Sequence, residues 1–391
     1  MADYANLSRN ILQEIIKYLS FPDYIRFGAV CSHWFNVSNE GYHSPQKQLP
    51  WLVCFDIDFP KFFNPSEEKV YQIEMPELHG RYCAGSSHGW LITIDLDLNI
   101  NLVNPFSKAQ IDLPLLPFDT FGVRYQKLCE ISWLNYPKQK RDKLIYKAVL
   151  SADPSKSSDY IVIAIYFANS KLAFWRPSDL TWIVINTHSF VEDIVWCNGA
   201  FYVVDSSNHV CLVDLGINNK LIKINSLDNG YLKTVEKYIV DFMGELLLVY
   251  KSTNPIKDHY NDDNNDADED EDDLNYHENE FDHTIYFKLF KLDQKENKFI
   301  KIKNINGYVL FLGSNHAMMI PTATVADKTK NNIIYFTDYI YANYMFGYSE
   351  SGIYNIRERS ITPFPWYNIT PLPFHNIYHQ AKRITFIDVN P

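Results

Sequence analysis

Gly85-Ser86-Ser87-His88-Gly89 has the Gly-x-Ser-x-Gly spacing of a nucleophile elbow. That turn lifts a serine Oγ off a strand end so that a base and two backbone N–H groups converge on it, and it needs a helix directly afterwards. Here Trp90-Leu91-Ile92-Thr93-Ile94 follows and reads as a second strand, so the phrase is a turn between strands. Asp262-Asp263-Asn264-Asn265-Asp266-Ala267-Asp268 opens like a calcium loop. The glycine and bidentate glutamate such a loop requires at its sixth and twelfth positions are Ala267 and Asp273. His277 and His283 stand six apart, whereas two zinc ligands on one helix face stand four apart. Lys138-Gln139-Lys140-Arg141-Asp142-Lys143 is a compact basic run. It suits a solvated hairpin loop better than a localisation signal or a phosphate-contacting patch, because no aromatic and basic residues interleave around it. These residues predict no catalytic group, metal, cofactor or nucleic-acid partner.

The elements that must carry any function are of two kinds. The first forty residues hold short amphipathic segments: Ile11, Leu12, Ile15, Ile16 and Leu19 recur at helical spacing. Ser8 is a candidate helix cap and Leu7 a staple onto Leu12. Pro22 restarts the chain as a second helix, and a third turn begins near Ser32 and presents Trp34. Such a stretch is too small to bury its own apolar residues, so it needs a partner surface.

Beyond residue 50, hairpins recur. Gly89-Trp90 to Ile94 pairs with Asn99 to Val103; Tyr160 to Phe167 is followed by Lys171 to Trp175 and Thr181 to Ile185. Gly199 and Gly244 repeat the scheme 45 residues apart. Gly313 is 69 residues beyond Gly244, reduced to 44 when an acidic stretch is set aside, and Gly89 to Gly199 spans 110. A period near 45 with several strands per unit predicts β-propeller blades, six or seven between Trp51 and Pro391. A two-sheet sandwich is usually smaller. Trp51 to Phe55 should lie beside the last blade, with Arg383 to Ile387 closing the ring.

The net charge of −11 is one insertion: residues 258–282 hold thirteen Asp or Glu and no Lys or Arg, and the rest of the chain carries +2. Such a segment repels itself and predicts a disordered loop within one blade. The six cysteines are scattered without a Cys-x-x-Cys pair, which suits free buried thiols in a reducing compartment. Tyr160 to Ala168 is about half a membrane span. The expectation is a soluble protein of the nucleus or cytoplasm that engages no membrane.

Leu7, the helix over 11–19, Pro22-Asp23 and Val30-Cys31-Ser32-His33-Trp34 resemble an F-box, the module that docks a cullin ubiquitin ligase onto its adaptor. Ser8 stands where that family usually has proline, and both suit a helix start. The remainder resembles the KIB-type propeller of plant F-box proteins, formerly a domain of unknown function. The resemblance rests on Gly85-Ser86-Ser87-His88-Gly89-Trp90-Leu91, Asn104-Pro105-Phe106-Ser107, Leu113-Pro114 and Lys171 to Trp182. It continues in Leu312-Gly313-Ser314-Asn315-His316, Asn332 to Asp338 and Gly352-Ile353-Tyr354-Asn355. The acidic stretch is a departure from that family. The resemblance implies an F-box over residues 4–45 and a propeller over 50–391, with the acidic loop at 258–282 inside it. It further implies that Leu7, Leu12, Ile15, Ile16, Leu19, Pro22, Ile25, Val30, Cys31 and Trp34 form the small core and contact an SKP-family adaptor, and through it a cullin.

The expected function is the substrate-recognition subunit of an SCF-type ligase, its propeller binding a protein substrate. A propeller scaffold with a decayed F-box is the alternative, and a propeller enzyme comes last.

Overall fold

The computed structural model describes residues 4–19, 21–39, 49–55, 60–67, 69–72, 75–117, 144–166, 171–216, 218–227, 235–252, 286–293, 295–313, 315–324, 331–337, 351–363 and 384–388. The acidic stretch 258–282 and the basic run 138–143 lie outside them. No helix among the described residues is long and apolar enough to cross a membrane.

Three eight-residue helices open the chain: α1 (Arg9–Ile16), α2 (Phe21–Gly28) and α3 (Ser32–Asn39). Leu12, Ile16, Tyr24, Phe27 and Val37 form their core, with Leu7, Ile15, Leu19 and Trp34 packed against it. Leu7 thus packs against the core to which Leu12 belongs. Ser8 departs from expectation: it takes the extended cap backbone but its side chain makes no cap hydrogen bond. Ser8 to Ile11 are all exposed, which leaves the first-turn N–H groups to solvent.

Beyond the three helices the described residues form strands in six sheets, with short 3₁₀ turns at Pro76–Leu78 and Thr322–Thr324. The first joins β25 (Ile384–Ile387), β1 (Trp51–Cys54), β2 (Lys61–Asn64) and β3 (Lys69–Gln72). The second runs β4 (Tyr82–Ser87), β5 (Trp90–Ile94), β6 (Ile100–Val103), β7 (Gln110–Leu113). The third runs β8 (Ile145–Leu150), β9 (Val162–Tyr166), β10 (Lys171–Trp175), β11 (Ile183–Ile185). The fourth takes β12 (Val191–Cys197), β13 (Ala200–Asp205), β14 (His209–Asp214), β15 (Lys220–Ser226). The fifth takes β16 (Val235–Phe242), β17 (Glu245–Ser252), β18 (Tyr286–Asp293), β19 (Lys298–Ile302). The sixth has five strands, ordered β21 (Ala317–Pro321), β20 (Tyr308–Gly313), β22 (Ile333–Thr337), β23 (Ser351–Asn355), β24 (Ser360–Pro363). This is a six-bladed propeller, the lower of the two predicted blade counts.

Local chemistry explains the repeat. His88-Gly89, Asn198-Gly199 and Met243-Gly244 are two-residue hairpin turns in which both residues have positive φ. Only primed turns match the twist of the flanking strands, and glycine reaches that conformation without cost. The turns between third and fourth strands recur as well: Asn64, Asn104, Asp214, Asp293 and Asn355 each accept backbone N–H bonds from residues just ahead. These are Asx turns, a short side chain standing in for backbone. Gly313 does not belong to the series. It ends β20 without a positive φ, and the positive-φ glycine of that region is Gly307, before β20. The spacing misleads there because β20 is an extra strand placed between β21 and β22 and runs parallel to β22.

The ring closes as predicted. β1 pairs antiparallel with β25, Trp51 opposite Ile387 and Cys54 opposite Ile384, so residues from both ends of the propeller share one sheet. Trp51, Leu52 and Val53 are fully buried there. Between neighbouring sheets the inner strands approach closely: a Cβ on Gly85 would sit 2.1 Å from the Ala148 carbonyl oxygen, a contact only glycine permits.

Candidate functional site

On α1 two stripes lie side by side. Leu12 and Ile16, four residues apart, are fully buried in the module's core. One residue earlier, Ile11 is 49% exposed, Ile15 is half-buried and Tyr18, just past the helix, is 85% exposed. Spacings of four and seven put those three on one helix face. On the second half of the module, Val30 is 55% exposed in the turn after α2 and Phe35 is 53% exposed on α3. Phe35 lies against Gly28, 3.8 Å from where a Cβ would be. Ile11, Tyr18, Val30, Phe35 and Tyr4, five large apolar groups, thus face solvent on a module whose described residues end at 39.

The residues expected to meet an adaptor divide. Leu12 and Ile16 are core and cannot be a contact surface, because their side chains are already enclosed. Leu7, Ile15, Leu19, Cys31 and Trp34 are half-buried and Val30 is exposed. The side chains of Pro22 and Ile25 lie outside the described residues. Trp34 tilts onto Phe27 with ring centroids 4.5 Å apart, and its indole N–H is buried without a hydrogen-bond partner among the described residues. Tyr24 ties α2 to α3 through its hydroxyl, which donates to the Ser38 carbonyl at 2.8 Å. His33 Nε2 lies 3.1 Å from the Leu7 carbonyl and holds the chain start against α3. Ile11, Tyr18 and Phe35 were absent from the expected contact set. The signal for the first two was in the sequence as the offset stripe beside Leu12 and Ile16.

At the centre of the propeller, charged groups join the inner strands. Irregular register near the start of β8 and β12 lets Lys147 and Asp193 meet across two sheets, both side chains almost fully buried. Asp193 also accepts the N–H of Ile194 at 2.8 Å and of Ile239, from the fifth sheet, at 2.9 Å. Burial pulls its carboxyl upward in pKa, and Lys147 opposes that shift. Lys237 Nζ continues the chain of contacts, donating to the Asp205 and Ser206 carbonyls at 3.2 and 3.1 Å and pairing with Glu192 at 3.1 Å. His316, just before β21, lies near Lys147 and His88. Burial holds its pKa down to about 3, and nearby Lys147 and His88 act in the same direction. This network locks three sheets together.

The elbow-like phrase is strand, turn, strand. Ser87 is buried on β4 and its Oγ accepts the Leu150 N–H at 3.3 Å, so the hydroxyl is structural. Burial pushes the Cys83 and Cys197 thiols up to about 12 and Cys211 to about 11, which keeps them as unreactive thiols. Cys31, Cys83, Cys197 and Cys211 are free.

Residues 5–40 match the F-box domain, and residues 62–355 match the KIB1-4 beta-propeller, three quarters of the chain. The chain belongs to the KIB1-4 β-propeller family. F-box protein SKIP23 of Arabidopsis thaliana is 23% identical over 369 residues, covering 87% of this chain and 85% of its own. The F-box/kelch-repeat protein KIB1 of the same plant is 23% identical over 366 residues, covering 90% and 81%. A solved structure of U3-55K has 8% identity and a TM-score of 0.35 over 74% of this chain and 67% of its own, too distant to speak to function. An F-box joined to a KIB1-4 propeller supports, in general terms, a role of the substrate-receptor kind.

Proposed function

We propose that this chain is the substrate-recognition subunit of an SCF-type ubiquitin ligase. The helical module docks an SKP-family adaptor and through it a cullin, and the propeller holds a protein substrate. The observation that carries this reading is the set of exposed apolar side chains on the F-box: Ile11 and Tyr18 on one face of the first helix, with half-buried Ile15 between them, and Val30 and Phe35 on the second half of the module. Exposed apolar groups packed this densely mark an interaction surface. Residues 4–45 are the docking unit and 50–391 the presenting unit, and the chain contributes no catalytic residue to the transfer, which belongs to the ligase's other subunits. It works in the nucleus or cytoplasm.

A propeller scaffold that has lost ligase docking is the second reading. It is favoured by one observation, Ser8 in place of the family's usual proline, with no side-chain cap bond to compensate. Affinity purification of the full chain from plant cells with mass spectrometry separates the two. Recovery of adaptor and cullin together with further proteins is the expected result. Recovery of binding proteins without adaptor or cullin would leave the scaffold reading.

A further inference from the structure

We infer that the turn joining β20 to β21 is a latch on the propeller's seam, a conformational device that keeps the closing strand β25 in the ring. β25 is four residues long, is the last strand of the chain and pairs with β1 alone among the described strands. Short segments near chain ends are where local opening starts. Yet Thr385, Phe386 and Ile387 are fully buried, so more than the β1 ladder encloses them.

The two faces of β25 belong to different neighbours. Phe386 packs with Val309, Phe311 and Tyr335 of the sixth sheet, its ring 5.1 Å from that of Phe311. Ile387 packs with Cys83 and Leu91 of the second sheet. β25 therefore sits in a slot whose walls are the sixth and second sheets. Asn315 joins those walls. It is fully buried, and its side-chain amide donates to the Cys83 carbonyl at 3.0 Å, across 232 residues of sequence. This bond skips the first sheet altogether. Lys147 to Asp193, Ile239 to Asp193 and Lys237 to Asp205 all join sheets that are neighbours in the ring.

The turn is built to hold the amide in place. The Gly313 N–H donates to the His316 carbonyl at 2.9 Å, and the His316 N–H donates to the Gly313 carbonyl at 3.2 Å, which closes a two-residue turn that carries Asn315. A Cβ on Gly313 would stand 2.9 Å from Thr337 Oγ1 and 3.5 Å from the Phe386 ring, so glycine lets the turn lie close against the closing strand. On the other wall, the β4–β5 register slips between Cys83 and Gly85, beside the carbonyl that Asn315 takes. The sixth sheet departs from the others in carrying the β20–β21 hairpin, and the turn of that hairpin is what reaches the second sheet. While the walls are tied, the slot cannot widen to release β25.

The test is hydrogen–deuterium exchange with mass spectrometry on the full chain, parent against Asn315→Ala. Removing a buried bond and orphaning its carbonyl should speed exchange of residues 49–55 and 384–388 at least roughly fivefold. Peptides from β13 and β14, on the far side of the ring, should keep their parent rates. Trp182→Phe loses a different bond between sheets, from the indole N–H to the Pro114 carbonyl at 2.7 Å, and should leave the seam rates unchanged. Gly313→Ala keeps the amide but forces the turn off Phe386; it should speed the same two segments, and it decides the matter if Asn315→Ala does not fold. Parent rates at the seam in whichever of these two variants folds overturn the inference. So does equal acceleration in all six sheets, which would make Asn315 ordinary core, or acceleration of the seam by Trp182→Phe to the same degree.

Discussion

Asp193→Ala is the most informative single change to the propeller. The carboxylate bridges three sheets, taking Lys147 from the third, its own Ile194 N–H, and the Ile239 N–H from the fifth. Its removal strands a buried ammonium and two buried N–H groups at once. Breaking one side of a buried ion pair typically costs about 3–5 kcal/mol, and an orphaned buried donor about 1–3 kcal/mol more. Since the whole stability of a domain is of order 5–15 kcal/mol, the variant should lie near the limit of folding. Urea unfolding followed by tryptophan fluorescence reads the loss, because Trp90, Trp175 and Trp182 are buried between sheets. Lys147→Met/Asp193→Leu should recover most of it, since replacing both partners removes the unpaired charge. A single-variant loss under about 1 kcal/mol, or a double variant no better than the single, would refute the claim that this pair locks the sheets.

Two further outcomes follow from the same structure. His316 titrates near 3 when folded and near 6.5 when unfolded, so the unfolded chain gains the proton between those values. Stability should fall as pH drops through that window, by up to about 1.4 kcal/mol per pH unit; His316→Gln should flatten the profile, and identical slopes for both proteins would show that the imidazole is not held neutral. A chain begun at Pro50 should fold, whereas one begun after Ile57 lacks β1, its pairing with β25 and buried Trp51. The shorter chain should be insoluble or melt roughly 10 °C or more lower, and equal melting would count against closure through β1.

Much of this architecture was legible in the residues. Asn-Gly and His-Gly between alternating apolar runs specify primed turns, so the β4–β5 and β12–β13 hairpins could be placed before any coordinates. The Gly89 to Gly199 offset of 110 marks two sheets that share a design, and Asn104 and Asp214, with the same offset, both cap Asx turns. Closure by the Ile384 segment was legible because a propeller closes through its own strands, and Trp51 to Phe55 and Arg383 to Ile387 are the apolar runs that flank its repeats. The sixth sheet was not, because strand order is set by tertiary packing and Gly313 imitates a turn glycine in sequence alone. Nor could the sequence show Lys147 meeting Asp193, since that contact depends on register irregularities in two strands. On the F-box, periodicity identified α1 but could not divide its apolar positions between core and surface. Leu12 and Ile11 are equally apolar, and only the docking of α2 and α3 decides which is enclosed.

The central claim is that the exposed face of the F-box docks an adaptor. Titration calorimetry of a purified SKP-type adaptor into the full chain, compared with Ile11→Asp/Val30→Asp, tests it most directly. Both positions are exposed, so the substitutions spare the module's core. Losing a well-buried apolar contact at an interface costs about 2 kcal/mol or more, so one-to-one binding by the parent chain should fall at least roughly thirtyfold. Adaptor binding of undiminished affinity by the variant, or none by the parent chain, would contradict the account.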